Sequence, residues 1–187
     1  MTTSYRNIVI HKELADRLRQ VFRLDAAPRT LDDLSLPASV NLGPFTDGIV
    51  ARLISATPTR HQVRIGGETV YTYCVMDAFM LPVLQDAPAE IDSPDPETGD
   101  EIRLRVTPGG IVENGAAHTE AVVSFGVSHE AAGSVYSVAC PFINLFASRI
   151  NYDRWTQAHP EALTLAIPLV DAVALARAWA GAGGARC

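Results

Sequence analysis

The sequence predicts an α+β protein, with a small N-terminal helical unit packed on a domain of mixed or antiparallel β-sheet and flanking helices. Three observations carry that expectation. Apolar residues recur every three to four positions through much of residues 1–59, the spacing of helices with one buried face. From Arg60 the dominant period becomes two, as in half-buried strands, with glycine and proline between the runs. Helical and extended segments then alternate without a regular βαβ repeat, which disfavours a single parallel sheet. The expected division is a helical region over residues 1–59 and a sheet-containing domain over residues 60–187.

Leu14, Leu18, Val21 and Phe22 place a helix over Glu13 to Leu24, stopped by Pro28. Thr30 and Asp33 can cap a short helical turn from Leu31 to Leu36, before Pro37. Asn41 to Pro44 reads as loop, and Ile49, Val50, Leu53 and Ile54 as another helix that ends before Pro58. His61 to Ile65 and Glu68 to Tyr73 form a hairpin around Gly66-Gly67, a pair that accepts positive φ. At Tyr73 the period changes. Val75, Met76, Phe79 and Leu84 fit a helix from Cys74 to about Gln85, with Pro82 expected to kink it. Pro88 to Gly99 reads as acidic, proline-rich loop around a short strand at Glu90-Ile91. Ile102, Leu104 and Val106 alternate with Glu101, Arg103 and Arg105 in a strand with one wet face. Pro108-Gly109-Gly110 then turns the chain so that Ile111-Val112 can pair. Ala121 to Val127 and Val135 to Cys140 read as buried strands, and Asn144 to Ser148 as extended. A short helix over Asp153 to Gln157, a strand over Leu163 to Ile167 and a helix from Pro168 to about Ala180 precede a glycine-rich tail.

Composition narrows the function classes. With 48% hydrophobic and 19% charged residues, the 187-residue chain is ordinary globular protein, long enough for a proper core. A net charge of −6 with no basic run argues against a nucleic-acid partner. No apolar run approaches the roughly 20 residues of a membrane span. The start of the chain, with Ile8-Val9-Ile10 followed by charged His11-Lys12-Glu13, is not a signal peptide. Three scattered cysteines without an export signal point to a reducing, cytoplasmic compartment. No Gly-rich phosphate loop and no Gly-x-Ser-x-Gly elbow occurs. His61, His118, His129 and His159 sit among polar or loop-forming residues, His11 at a helix start, and no pair has zinc-ligand spacing.

The stretch from Tyr71 to Phe79 concentrates what chemistry there is. Cys74 falls where strand gives way to helix, and Asp77 follows one turn later on the same side. Unpaired N–H groups and the positive end of the helix dipole favour a thiolate there. Asp77 is flanked by Met76, Ala78, Phe79 and Met80, and desolvation in an apolar pocket would raise its pKa and make it a usable acid. A cysteine in such company is by default a small core residue, and so is Cys140 in Val138-Ala139-Cys140-Pro141-Phe142. Cys187 closes the glycine-rich tail and is expected to be idle.

These residues carry a family resemblance. Tyr71-Thr72-Tyr73-Cys74-Val75-Met76-Asp77-Ala78-Phe79 with Pro82, then Glu97-Thr98-Gly99, then Leu104-Arg105-Val106-Thr107-Pro108, resemble the catalytic domain of the alkylmercury (organomercurial) lyases. Cys140 followed by Leu145-Phe146-Ala147-Ser148, and the Trp155 helix leading into Leu163 to Ala176, extend the likeness in the same order, over roughly Arg60 to Trp179. The resemblance puts the family's two catalytic cysteines on Cys74 and Cys140 and its catalytic aspartate on Asp77, the three residues that would also hold mercury. Family members often carry a second cysteine beside the one matching Cys140, where this chain has Ala139 and Pro141. A further family cysteine corresponds to Asp95 or its neighbour, and the N-terminal unit is shorter than the family's winged-helix-like one.

The resemblance implies protonolysis of a carbon–mercury bond, giving a hydrocarbon and Hg(II), in mercury detoxification and resistance. Mercury is soft and prefers thiolates. One thiolate would capture the organomercurial, the second would weaken the bond to carbon, and Asp77 would move a thiol proton to the departing carbon. The implied partners are an organomercurial, cytoplasmic thiols that take the product, and a mercuric reductase downstream, with no organic cofactor or resident metal. Two alternatives remain from the residues alone: a two-cysteine site that stores a soft metal such as mercury or copper(I), and an enzyme for another small substrate with Cys74 as covalent nucleophile. For the first reading the Cys74 and Cys140 sulfurs must lie on the order of 4–6 Å apart, given thiolate–metal bonds of about 2.3 Å.

Overall fold

The computed structural model describes residues 4–34 and 48–184. The expectations for Asn41 to Pro44, for the turn beyond Leu34 and for Cys187 fall outside those residues. The chain begins with a 3₁₀ turn at Tyr5–Asn7 and helix α1 at Lys12–Phe22, which buries Leu14, Ala15 and Leu18. His11 caps α1, its Nδ1 accepting from the Leu14 N–H at 3.4 Å. At the 3₁₀ turn Leu31–Leu34 the Asp33 carboxylate accepts from the N–H groups of Arg29 and Thr30, at 2.8 and 3.1 Å. Helix α2 follows at Gly48–Leu53.

Two antiparallel sheets come next, in line with the α+β expectation. The first has five strands in the order β1-β3-β2-β4-β5: β1 Ile54–Ser55, β2 His61–Ile65, β3 Glu68–Thr72, β4 Ala89–Pro94 and β5 Glu101–Val106. Gly66 and Gly67, at φ 60° and 84°, make the β2–β3 turn. One face is wet and charged, with Arg64 bonded to Glu90 at 3.1 Å and Asp92 at 2.7 Å. The other face buries Val63, Ile91 and Leu104. The second sheet has the order β7-β6-β8, with β6 Val122–Ser128, β7 Leu145–Phe146 and β8 Ala162–Pro168.

Helix α3, Val75–Leu84, lies between the five-stranded sheet and the last helix α6, Leu169–Gly184. Its buried residues run from Val75 and Met76 through Ala78 to Pro82, so it is apolar almost all round, as a core helix must be. Leu14 and Leu18 of α1, Phe79 and Leu81 of α3, Phe125 of β6 and Val173 of α6 belong to one continuous core. A smaller cluster, Val122, Phe146, Tyr152 and Trp155, lies under helix α5, Arg149–Ala158. The sheets are tied by buried Asp95, whose carboxylate accepts from Glu97 N–H at 2.9 Å, Ala147 N–H at 2.8 Å and Asn151 Nδ2 at 2.8 Å.

Several boundaries differ from the sequence expectation. Val135 to Cys140 is not a strand: helix α4 occupies Val135–Val138 and a 3₁₀ turn Cys140–Phe142. Ser134 caps α4 through the Ser137 N–H, and burial falls on Val138 and Ala139 with Val135 partly covered, a helical i, i+3, i+4 set. Strand β4 is longer than Glu90-Ile91, because Ala89, Ile91 and Ser93 all point inward, Ser93 satisfied by His61. His61 opens β2 as expected, and this contact buries it although its sequence neighbours Arg60 and Gln62 are polar. Ile54 leaves the α2 helix to pair with Thr72 as strand.

Candidate active site

Cys74 is the N-cap of α3, extended at φ −146° and ψ 170°. Its carbonyl accepts from the Thr72 hydroxyl at 2.9 Å, which fixes the strand-to-helix junction. Asp77 is the third residue of α3, and its carboxylate accepts from the Cys74 N–H at 3.2 Å while its own N–H faces the Cys74 sulfur. This is the reciprocal arrangement of a capping box, with a thiol where serine or threonine usually stands.

Cys140 reaches the same point by a different route. It opens a 3₁₀ turn held against β6, where the Ser124 hydroxyl donates to Phe142 O at 2.7 Å and accepts from Asn144 N–H at 2.9 Å. The Asn144 amide donates in turn to Pro141 O at 2.9 Å. Val75 N–H, the first in α3, donates to Ile143 O at 3.4 Å and joins the two cysteine-bearing segments. As a result Cys74 Sγ, Cys140 Sγ and an Asp77 carboxylate oxygen all lie within 4.8 Å of one another. Among the described residues no other group of three metal-ligating side chains converges this way.

Burial sets the protonation of Cys74 and Asp77. The Cys74 thiol is pushed well above its ordinary pKa, first by desolvation, then by its contact with Cys140 and the nearby Asp77 charge. The expected helix-dipole thiolate is therefore not the resting state, because desolvation outweighs the dipole. Asp77 rises to about 7, again through burial, with the Cys74 side chain and N–H opposing the rise. It is thus nearly balanced between acid and base at neutral pH.

The trio opens into a cavity of about 780 Å³ whose walls include Val21, Phe22, Met80, Phe125, Ile143 and Trp179. Residues that the sequence reading passed over line it too. Arg17 and Arg23 come from α1 and the residue after it, Arg52 from α2 and Tyr136 from α4. Tyr136 packs against Tyr73, ring centroids 4.9 Å apart, and burial together with Asp77 and Cys140 raises its phenol pKa. Only the fold brings these residues to the cavity, so no local pattern announces them. Among the described residues, no helix is long and apolar enough to cross a membrane.

Two cysteine sulfurs and a carboxyl, gathered at a cavity of an α+β domain, are a donor set of the kind a soft metal prefers, with an ionisable acid beside them. The family model described as alkylmercury lyase (MerB) matches residues 54–181. The chain belongs to that family. It is 32% identical over 124 residues to an alkylmercury lyase of Streptomyces lividans, covering 66% of this chain and 55% of that one. It is 33% identical over 129 residues to an alkylmercury lyase of Staphylococcus epidermidis, covering 69% and 57%. The chain thus spans little more than half the length of these curated relatives. In fold it is similar to the solved mercury-bound form of MerB2, with a TM-score of 0.55 and 20% identity over 92% of each chain.

Proposed function

We propose that this protein is an organomercurial lyase that cleaves carbon–mercury bonds by protonolysis, with Cys74, Asp77 and Cys140 as catalytic residues. The observation that carries the reading is the convergence of the two sulfurs and the carboxylate within 4.8 Å. That spacing suits one mercury atom bound by two thiolates at about 2.3 Å each.

The steps follow from the protonation states. The organomercurial arrives as R–Hg–SR′, since mercury prefers a thiolate partner. A cysteine sulfur displaces SR′, and its proton leaves with the departing thiol R′SH. Binding of the second sulfur to mercury acidifies that thiol, and the Asp77 carboxylate accepts its proton at close range. Electron donation from two thiolates weakens the mercury–carbon bond. Asp77 then returns the proton, and the electron pair of the broken bond becomes the new C–H bond. Hg(II) remains on the two sulfurs and the carboxylate until external thiols remove it. A carboxyl with a pKa of about 7 can take and return the proton without a large barrier in either direction.

Within this reading residues 1–59 act as a cover and residues 60–187 as the catalytic domain. The contribution of α1 to the cavity wall supports that division. External thiols and a mercuric reductase are the consumers of the product, in a reducing cytoplasm that keeps both cysteines as thiols. The test is to incubate the purified protein with phenylmercury and excess thiol and measure benzene. A soft-metal store would bind mercury and release none.

A further inference from the structure

The cavity is much larger than a mercury atom and a methyl group require, and its charge is opposite to that of the chain. The protein carries 21 acidic and 15 Lys or Arg residues. Yet the described residues lining the cavity include three arginines, Arg17, Arg23 and Arg52, and one carboxylate, Asp77. Arg17 has a structural task, donating from Nε to Ser128 O at 3.0 Å and from its Nη atoms to Ala131 O and Gln20 Oε1. It pins the segment that leads into α4. Arg23 and Arg52 are exposed at the cavity. The charge of Arg52 reaches the Tyr136 phenol, which Asp77 and Cys140 also influence.

We propose that this cationic side of the cavity recognises a carboxylate carried into the site with the mercury atom. The inference rests on the lyase reading and names the substrate class of the same site. The carboxylate has two chemical sources: the thiol bound to mercury in R–Hg–SR′, or the organic group R. A thiol source also explains the cavity volume, because the whole adduct must fit before cysteine exchange releases R′SH. Guanidinium groups suit carboxylates through paired N–H donors, and at an exposed mouth each pair contributes modestly and is weakened by salt.

The experiment compares phenylmercury presented with mercaptosuccinate or with 2-mercaptoethanol, and 4-carboxyphenylmercury with phenylmercury, both in 2-mercaptoethanol. KM for hydrocarbon release is read beside a binding titration of mercuric bis-thiolate complexes, followed by tryptophan fluorescence in a Trp155→Phe background that leaves Trp179, which lines the cavity, as the sole reporter. The carboxylated member of a pair should bind about three- to tenfold tighter at low salt. That ratio should fall towards one in Arg23→Gln/Arg52→Gln and at high salt, but not in Arg154→Gln, an exposed charge on α5. A preference in the thiol pair assigns the carboxylate to the thiol, and one in the aryl pair assigns it to R. No preference in either pair, or one that survives the double substitution, overturns the proposal. If the titration shows the preference but no hydrocarbon forms, the lyase reading fails and the carboxylate site stands.

Discussion

Replacing Asp77 with Asn should stabilise the protein, by an amount that depends on pH. An unfolded aspartate titrates near 3.8, whereas in the folded protein Asp77 titrates at about 7. Between those values the folded state holds a proton that the unfolded state has lost, so stability falls as pH rises through the window. Asn is nearly isosteric, cannot ionise, and keeps an oxygen to accept the Cys74 N–H that Asp77 now accepts at 3.2 Å. At about 1.4 kcal/mol per pKa unit, the removed penalty is about 4 kcal/mol at pH 8, about 1.5 kcal/mol at pH 5 and nothing below about pH 3. The carboxylate lines the cavity and is not fully enclosed, so these are upper values. Urea unfolding of the wild type and Asp77→Asn at pH 8 and pH 5 measures the difference. A variant less stable than the wild type at pH 8, or an equal gain at both pH values, would refute the claim that burial raises this carboxyl.

Other consequences follow from the same geometry. With Asp77 as the proton acceptor of the free enzyme, kcat/KM should rise with pH through about 7, and Asp77→Ala should lose this limb. Cys140→Ser should abolish stoichiometric retention of mercury by two sulfurs, because a hydroxyl is a poor ligand for a soft metal, whereas Cys187→Ser should leave turnover intact. Asp95→Ala removes the acceptor of three N–H donors at a fully buried position and should cost about 3 kcal/mol in chemical unfolding. Gly126→Ala drives a methyl group to 2.6 Å from the Thr164 Cα of the paired strand, and should cost at least about 2 kcal/mol or prevent folding.

Much of the site was legible locally. The period change at Tyr73 placed Cys74 at a strand-to-helix junction, and the apolar neighbours of Asp77 announced its raised pKa, because both properties depend on adjacent residues. The hairpin at Gly66-Gly67 was legible for the same reason. Cys140 was not, since its approach to Cys74 depends on Ser124 and Asn144 holding a 3₁₀ turn against β6; only the family resemblance pointed to it. The β-branched residues of Val135 to Cys140 suggested strand, yet the Ser134 cap and one-sided burial make a helix. The thiolate expectation for Cys74 failed because a dipole argument made from sequence omits the desolvation imposed by the rest of the core. The arginines of the cavity carry no local signature at all.

The central claim is that Asp77 carries the proton from thiol to carbon. The most direct measurement follows mercury stoichiometry and hydrocarbon release on the same samples of wild type and Asp77→Ala, with phenylmercury and excess thiol. The variant should still bind one equivalent of mercury through Cys74 and Cys140, yet release benzene ~10²–10⁴-fold more slowly. Equal rates of benzene release from the two proteins would contradict the claim, and no release from either would leave the two cysteines as a mercury-binding site without turnover.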